Sequence, residues 1–164
     1  MAVQPYSNLI RLKQWADRGL YDMVAGNLDR LDAEDAFIVI RILDHIHVVD
    51  RIFQHHLQGL PHGLKAPRSD VMTDAATLAA GTREVDDWYV DYVDGLSAAD
   101  FDQPVDFTYT NGNSMRMTCG EIILHVCLHG TYHRGNAGIL FQKKGVAGPR
   151  DAMTDYLEAM ALAA

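Results

Sequence analysis

Cysteine is scarce in this 164-residue chain, with two residues, Cys119 and Cys127. Eight positions apart in a segment that reads as helix, they lie roughly 12 Å apart along its axis, beyond disulfide reach. That excludes a disulfide framework and suits a reducing, cytoplasmic setting. Long apolar runs are missing too. No stretch approaches the roughly 20 consecutive apolar residues of a membrane-spanning helix, and residues 1–12 carry no apolar signal-peptide region. There is no basic run: 14 Lys and Arg stand against 22 Asp and Glu, a net charge of −8. This balance repels nucleic-acid phosphates and anionic membrane faces, so neither is an expected partner.

What is present reads as globular. Hydrophobic residues make up 48% and charged residues 22%, ordinary for a chain able to bury roughly 70% of its unfolded surface without staples. Residues 1–164 are expected to form a single domain. Along residues 4–31, Leu9, Leu12, Trp15, Ala16, Leu20, Met23, Val24 and Leu28 recur at helical spacing. Residues 33–57 carry two adjacent apolar rows, one of them through Ile38, Ile42, His45, Val49, Ile52 and His56. Gly59, Pro61, Gly63, Pro67 and Ser69 mark a loop, after which residues 74–96 return to helical spacing. Phe107, Tyr109, Met115 and Met117 around Asn111-Gly112 predict a short hairpin turning on Asn-Gly. Thr118 and Glu121 fit a capping box that opens a fourth helix running to residue 142, and residues 150–162 predict a last one. The pattern is all-α: a four-helix bundle with a short β-hairpin before the fourth helix and an extra C-terminal helix. Helix order within the bundle does not follow from it.

Histidine is the unusual component. Among eight histidines, His125, His129 and His133 chain two pairs spaced by four, where composition alone gives roughly 0.4. In the fourth helix the row Ile122, Val126, His129, His133, Asn136, Leu140 alternates steps of four and three, the seam that faces a bundle core. His129 and His133 therefore project the same way, one turn apart, while His125 belongs to the adjoining row. In the second helix His45 occupies the same kind of seam, between Ile42 and Val49. His47 lies about 200° around the helix from it, in a row with Asp44, Arg51 and Gln54, and is expected in solvent, as is His55. A single buried histidine is usually satisfied by a neighbouring Tyr or Asp. Three from two facing helices need a shared explanation, and bundle cores supply nitrogen ligands to metals in this way. Three imidazoles leave a fourth position open to water or substrate.

Two stretches resemble the DinB family. Leu43-Asp44-His45-Ile46 followed by Asp50-Arg51 is similar to its L-x-H-I…D-R stretch. The segment His129-Gly130-Thr131-Tyr132-His133-Arg134-Gly135-Asn136 resembles its H-G-x-x-H-R-G-Q signature, with Asn136 where the family usually has Gln. The resemblance covers nearly the whole chain. It implies a four-helix bundle that binds a divalent metal through His45, His129 and His133, the trio that the seam selects. Related bundles include S-transferases using bacillithiol or mycothiol and a thiol-dependent maleylpyruvate isomerase, so the resemblance adds a small thiol as a candidate cofactor.

Zinc or nickel suits three imidazoles, with iron or copper as further candidates. One expected function is an enzyme whose ion activates a low-molecular-weight thiol or water against a small molecule: an S-transferase, or a related hydrolase or isomerase. The other is a non-catalytic, stress-related bundle in which the ion locks two helices together. DNA binding is disfavoured by the acidic charge, and no catalytic residue is assigned. Around the trio, Asp44 is expected on a solvated acidic face, Arg134 to pair with a carboxylate and not hold an anionic substrate, and Tyr132 to pack. Glu121 is expected to cap its helix and Cys127 to fill space and not act as a nucleophile. Trp15, Trp88 and Met23 are expected in the core or at the interface of a homodimer, the commonest oligomer.

Overall fold

A computed structural model describes residues 3–163. Helices α1 (Val3–Asn27), α2 (Ala33–Gln58), α3 (Ala75–Asp94) and α4 (Cys119–Gln142) form the bundle. Strands β1 (Pro104–Thr108) and β2 (Ser114–Thr118) form the hairpin before α4, and α5 (Met153–Leu162) is the extra helix.

Local chemistry sets the ends. Asp32 and Asp74 accept from the backbone N–H groups of Asp35 and Thr77 and so start α2 and α3. Thr118 and Glu121 make the reciprocal capping box at α4. Helix α1 stops before its apolar periodicity does: the Asn27 side-chain amide donates to the Met23 carbonyl at 2.9 Å, and a 3-10 turn, Leu28–Arg30, follows. Helix α5 starts at Met153 and not at residue 150, because Pro149 precedes it and Asp151 is drawn away to Arg134. The hairpin does not turn tightly on Asn-Gly. Its register pairs Thr108 with Ser114 and leaves a loop at 109–113, in which Gly112 takes φ +87° and Asn111 Oδ1 accepts from the Asn113 N–H at 3.0 Å.

Helix α1 packs on α3 and α4, and α2 packs on the same two. Thus α1 and α2 lie across one diagonal, α3 and α4 across the other. The hairpin leans on α2 and α4, and α5 sits on α1, where Tyr156 meets Trp15 edge-on at 5.9 Å. No helix among the described residues is long and apolar enough to cross a membrane. One apolar cluster gathers around Phe53, Tyr89, Ile122 and Val126, another around Leu20, Val39, Leu43 and Phe141.

Along α1 and α4 the residues between these clusters include buried charges. Lys13 is 1% exposed, and its ammonium lies 2.9 Å from Asp17 of α1, 2.8 Å from Asp50 of α2 and 2.6 Å from Asp86 of α3. Arg134 of α4, also buried, donates to Asp17 at 3.0 Å and to Asp151 at 2.8 Å. Every helix of the bundle therefore places a charged group in one region. Burial pushes Asp50 up to about 6 and Asp86 up to about 7. At Asp17 burial also works upward but is outweighed by Lys13 and Arg134, which hold it below its ordinary value.

A buried charge left without its partner costs far more than an exposed pair contributes. Lys13→Met is therefore expected to lower stability by roughly 3–5 kcal/mol in urea unfolding. Arg116→Ala, which breaks an exposed pair with Asp106, is expected to leave the urea midpoint nearly unchanged. Asp86 keeps a proton in the folded chain that the unfolded chain releases near pH 4. Its contribution to stability is present below about pH 4 and is lost as pH rises through about 7. Asp86→Asn removes that dependence, so between about pH 5 and 8 the wild type is expected to lose stability relative to the variant.

Candidate metal centre

Helices α2 and α4 run side by side, and His45 of α2 meets His129 and His133 of α4. The ring centroids are 4.8 Å apart for His45 and His129, 4.6 Å for His45 and His133, and 4.5 Å for His129 and His133. One nitrogen from each ring lies within 4.8 Å of the others, and the Nε2 atoms of His45 and His129 are 3.0 Å apart. The three residues singled out by spacing are thus brought together.

The local sequence explains their aim. Ile122, Val126 and Leu140 of the seam are buried, and His129, His133 and Asn136 between them are half-buried. Gly130 and Arg134 face the other way, into the charged region. A Cβ on Gly130 would stand 2.7 Å from Arg134 Nη1, and Arg134 is held by Asp17 and Asp151. Residues 129–134 therefore present imidazoles on one side and make room for a buried guanidinium on the other.

His45 Nδ1 lies 2.6 Å from the Pro67 carbonyl oxygen. A carbonyl only accepts, so Nδ1 carries the ring proton and Nε2 turns its lone pair toward His129. An outer hydrogen bond of this kind orients imidazole ligands. The segment carrying Pro67 is itself anchored by Asp44, whose Oδ2 accepts from the Ser69 backbone N–H at 3.0 Å and from Arg41 at 3.3 Å. Asp44 is fully buried, contrary to the solvated face expected of it, because the loop at 59–74 folds back over that side of α2. His47 is not in solvent either. It is half-buried between α2 and α3, with its ring where a Cβ on Gly81 would come within 2.9 Å, and burial together with Arg51 lowers it to about 4.

Burial, with His133 and His45 beside it, pushes His129 down to about 3, and burial and His45 lower His133 as well. Neutral rings are the form that ligates a metal. His129 Nδ1 is buried with no hydrogen-bond partner among the described residues, so that ring is held through its Nε2 contact with His45 and by packing, including His125 stacked at 5.6 Å. Three imidazole nitrogens at this spacing could hold a divalent ion.

Other neighbours divide between expectation and correction. Arg134 pairs with carboxylates and Glu121 caps, as expected. Tyr132 does not pack into the interior: it is largely exposed, with its ring edge-on to His133 at 4.9 Å. His55 is half-buried and bonds the Arg51 carbonyl. Trp15, Trp88 and Met23 are half-buried. Both cysteines are free and buried; burial pushes Cys127 up to about 12 and raises Cys119.

Beside His129 opens a pocket of about 350 Å³, walled by Val49, Ile52 and Phe53 of α2, by His125, by Pro67 and by residues 109–111 of the hairpin loop. Sequence reading misses it, because its walls come from three separated segments. The family model of the DinB family matches residues 2–162. No curated protein and no solved structure matches the chain.

Proposed function

The chain belongs to the DinB family, and on that premise we propose that it binds one divalent ion through His45, His129 and His133 and applies it to a small molecule. The observation that supports this is the convergence of three imidazoles from two helices, with His45 oriented from behind by the Pro67 carbonyl. Bound there, the ion supplies a Lewis acid that favours the anion of a thiol or water in its open position. Zinc and nickel fit the donor set ahead of iron and copper. The chain itself orients the rings, lowers the pKa of His129 and His133 and leaves a pocket through which a reactant reaches His129. That opening favours an enzyme over an ion that only ties two helices. Cys119 and Cys127 are buried thiols with raised pKa values, so the sulfur of a thiol-dependent reaction comes from a low-molecular-weight thiol, as in an S-transferase. A hydrolase or isomerase would use the same centre. Free thiols suit a cytoplasmic setting, and the net charge of −8 disfavours nucleic acid as partner.

We also infer a homodimer. Exposed Leu128 (68%), Tyr132 (66%) and Ile139 (49%) fall with Gly135 on one stripe of α4, where the glycine lets a second helix approach closely. Light scattering is expected to give a dimer that Leu128→Ser with Ile139→Ser converts to a monomer; a wild-type monomer throughout the micromolar range counts against it.

For the ion, protein purified without a nickel column is expected to hold one per chain by elemental analysis, His125→Ala to keep it and His129→Ala to lose it. Unchanged metal in His129→Ala overturns the reading. Asp44→Ala, which frees the segment behind His45 without removing a ligand, is expected to weaken the ion about 10–100-fold in chelator competition.

A further inference from the structure

We propose that the pocket beside His129 takes the uncharged apolar body, aromatic or branched aliphatic, of a small molecule whose donor end reaches the three-histidine group. This rests on the metal reading above and adds the class of ligand to it. The volume of about 350 Å³ is at the small end of ligand sites, which run from about 300 to 1,000 Å³. The inner wall is Val49, Ile52 and Phe53, all buried, so a ring placed there leaves water on the face turned to that wall. None of the lining residues is Lys, Arg, Asp or Glu. The fixed charges nearest the histidines in sequence are already committed elsewhere: Arg134 to Asp17 and Asp151, Asp44 to Ser69 and Arg41. A carboxylate or phosphate lying along the apolar walls finds no side-chain counter-charge there and loses its hydration, so charge is tolerated only at the end that reaches the histidines. Apart from the imidazoles of His125 and His129, the hydrogen-bonding side chains stand toward the outer side, where Tyr109, Thr110 and Asn111 belong to the partly exposed hairpin loop. The polar end of an entering molecule can therefore lie at that rim or at the imidazoles, and its apolar body lies between.

Cobalt-loaded protein, titrated with phenylmethanethiol and with 2-mercaptoethanol, tests this through the sulfur-to-cobalt charge-transfer band, since the two thiols have similar acidity. Phenylmethanethiol is expected to bind at least about tenfold tighter. Thr110→Trp, which fills the rim from the loop, is expected to abolish that preference with unchanged ion content and circular dichroism. Equal dissociation constants in the wild type overturn the pocket assignment and leave the metal reading intact. A preference that survives in Thr110→Trp places the ring elsewhere and also overturns it. If no ion is taken up, the metal reading fails separately; in that case, or if no band forms, the pocket is read by saturation-transfer NMR with benzyl alcohol. Transfer that Thr110→Trp abolishes upholds the assignment. No transfer, or transfer that persists in the variant, overturns it.

Discussion

The ammonium of Lys13 lies within 3 Å of carboxylates from three helices, and through Asp17 it reaches Arg134 of the fourth. Apolar faces tolerate some sliding, whereas a buried ion network is stable only when each partner stays at hydrogen-bond distance. The register of the bundle is thus set where the charges meet. Asp50 lies little more than a turn beyond His45 on α2, and Arg134 directly follows His133 on α4. The same stretches that satisfy Lys13 bring the imidazoles together.

This gives a physical reading of the residues that resemble the family's signature. They divide by face. His129 and His133 point toward α2, while Gly130 and Arg134 point toward α1, the glycine being small because the guanidinium occupies its side-chain space. On α2, His45 serves one face and Asp50 the other. Ligand positions and scaffold positions are interleaved on the same turns. Arg134, next to a histidine and outwardly suited to hold an anion, has its donors taken by Asp17, Asp151 and Thr131.

The helices, the capping box at Thr118 and the histidine trio were legible in the sequence because each depends on spacing within one segment. The errors share another cause. Asp44 and His47 look solvent-facing on a helical wheel, and what buries them comes from elsewhere: Ser69 in the following loop and Gly81 on α3. Lys13 and Asp17, four apart, do not stand out in the sequence, since nothing nearby announces Asp86 or Arg134. The turn at Asn111-Gly112 was recognised, but its length follows from strand register. Proximity in space that rests on long loops leaves little periodic trace in the residues it joins.

Asp151 makes two bonds to a guanidinium in the middle of the bundle, yet it lies beyond Pro149, outside the four helices. Within the four helices Arg134 has Asp17 and Thr131 as partners, and its second carboxylate comes from this later segment alone. The interior of the four helices is therefore closed by a segment that follows them, which acts as a stopper for a core they line.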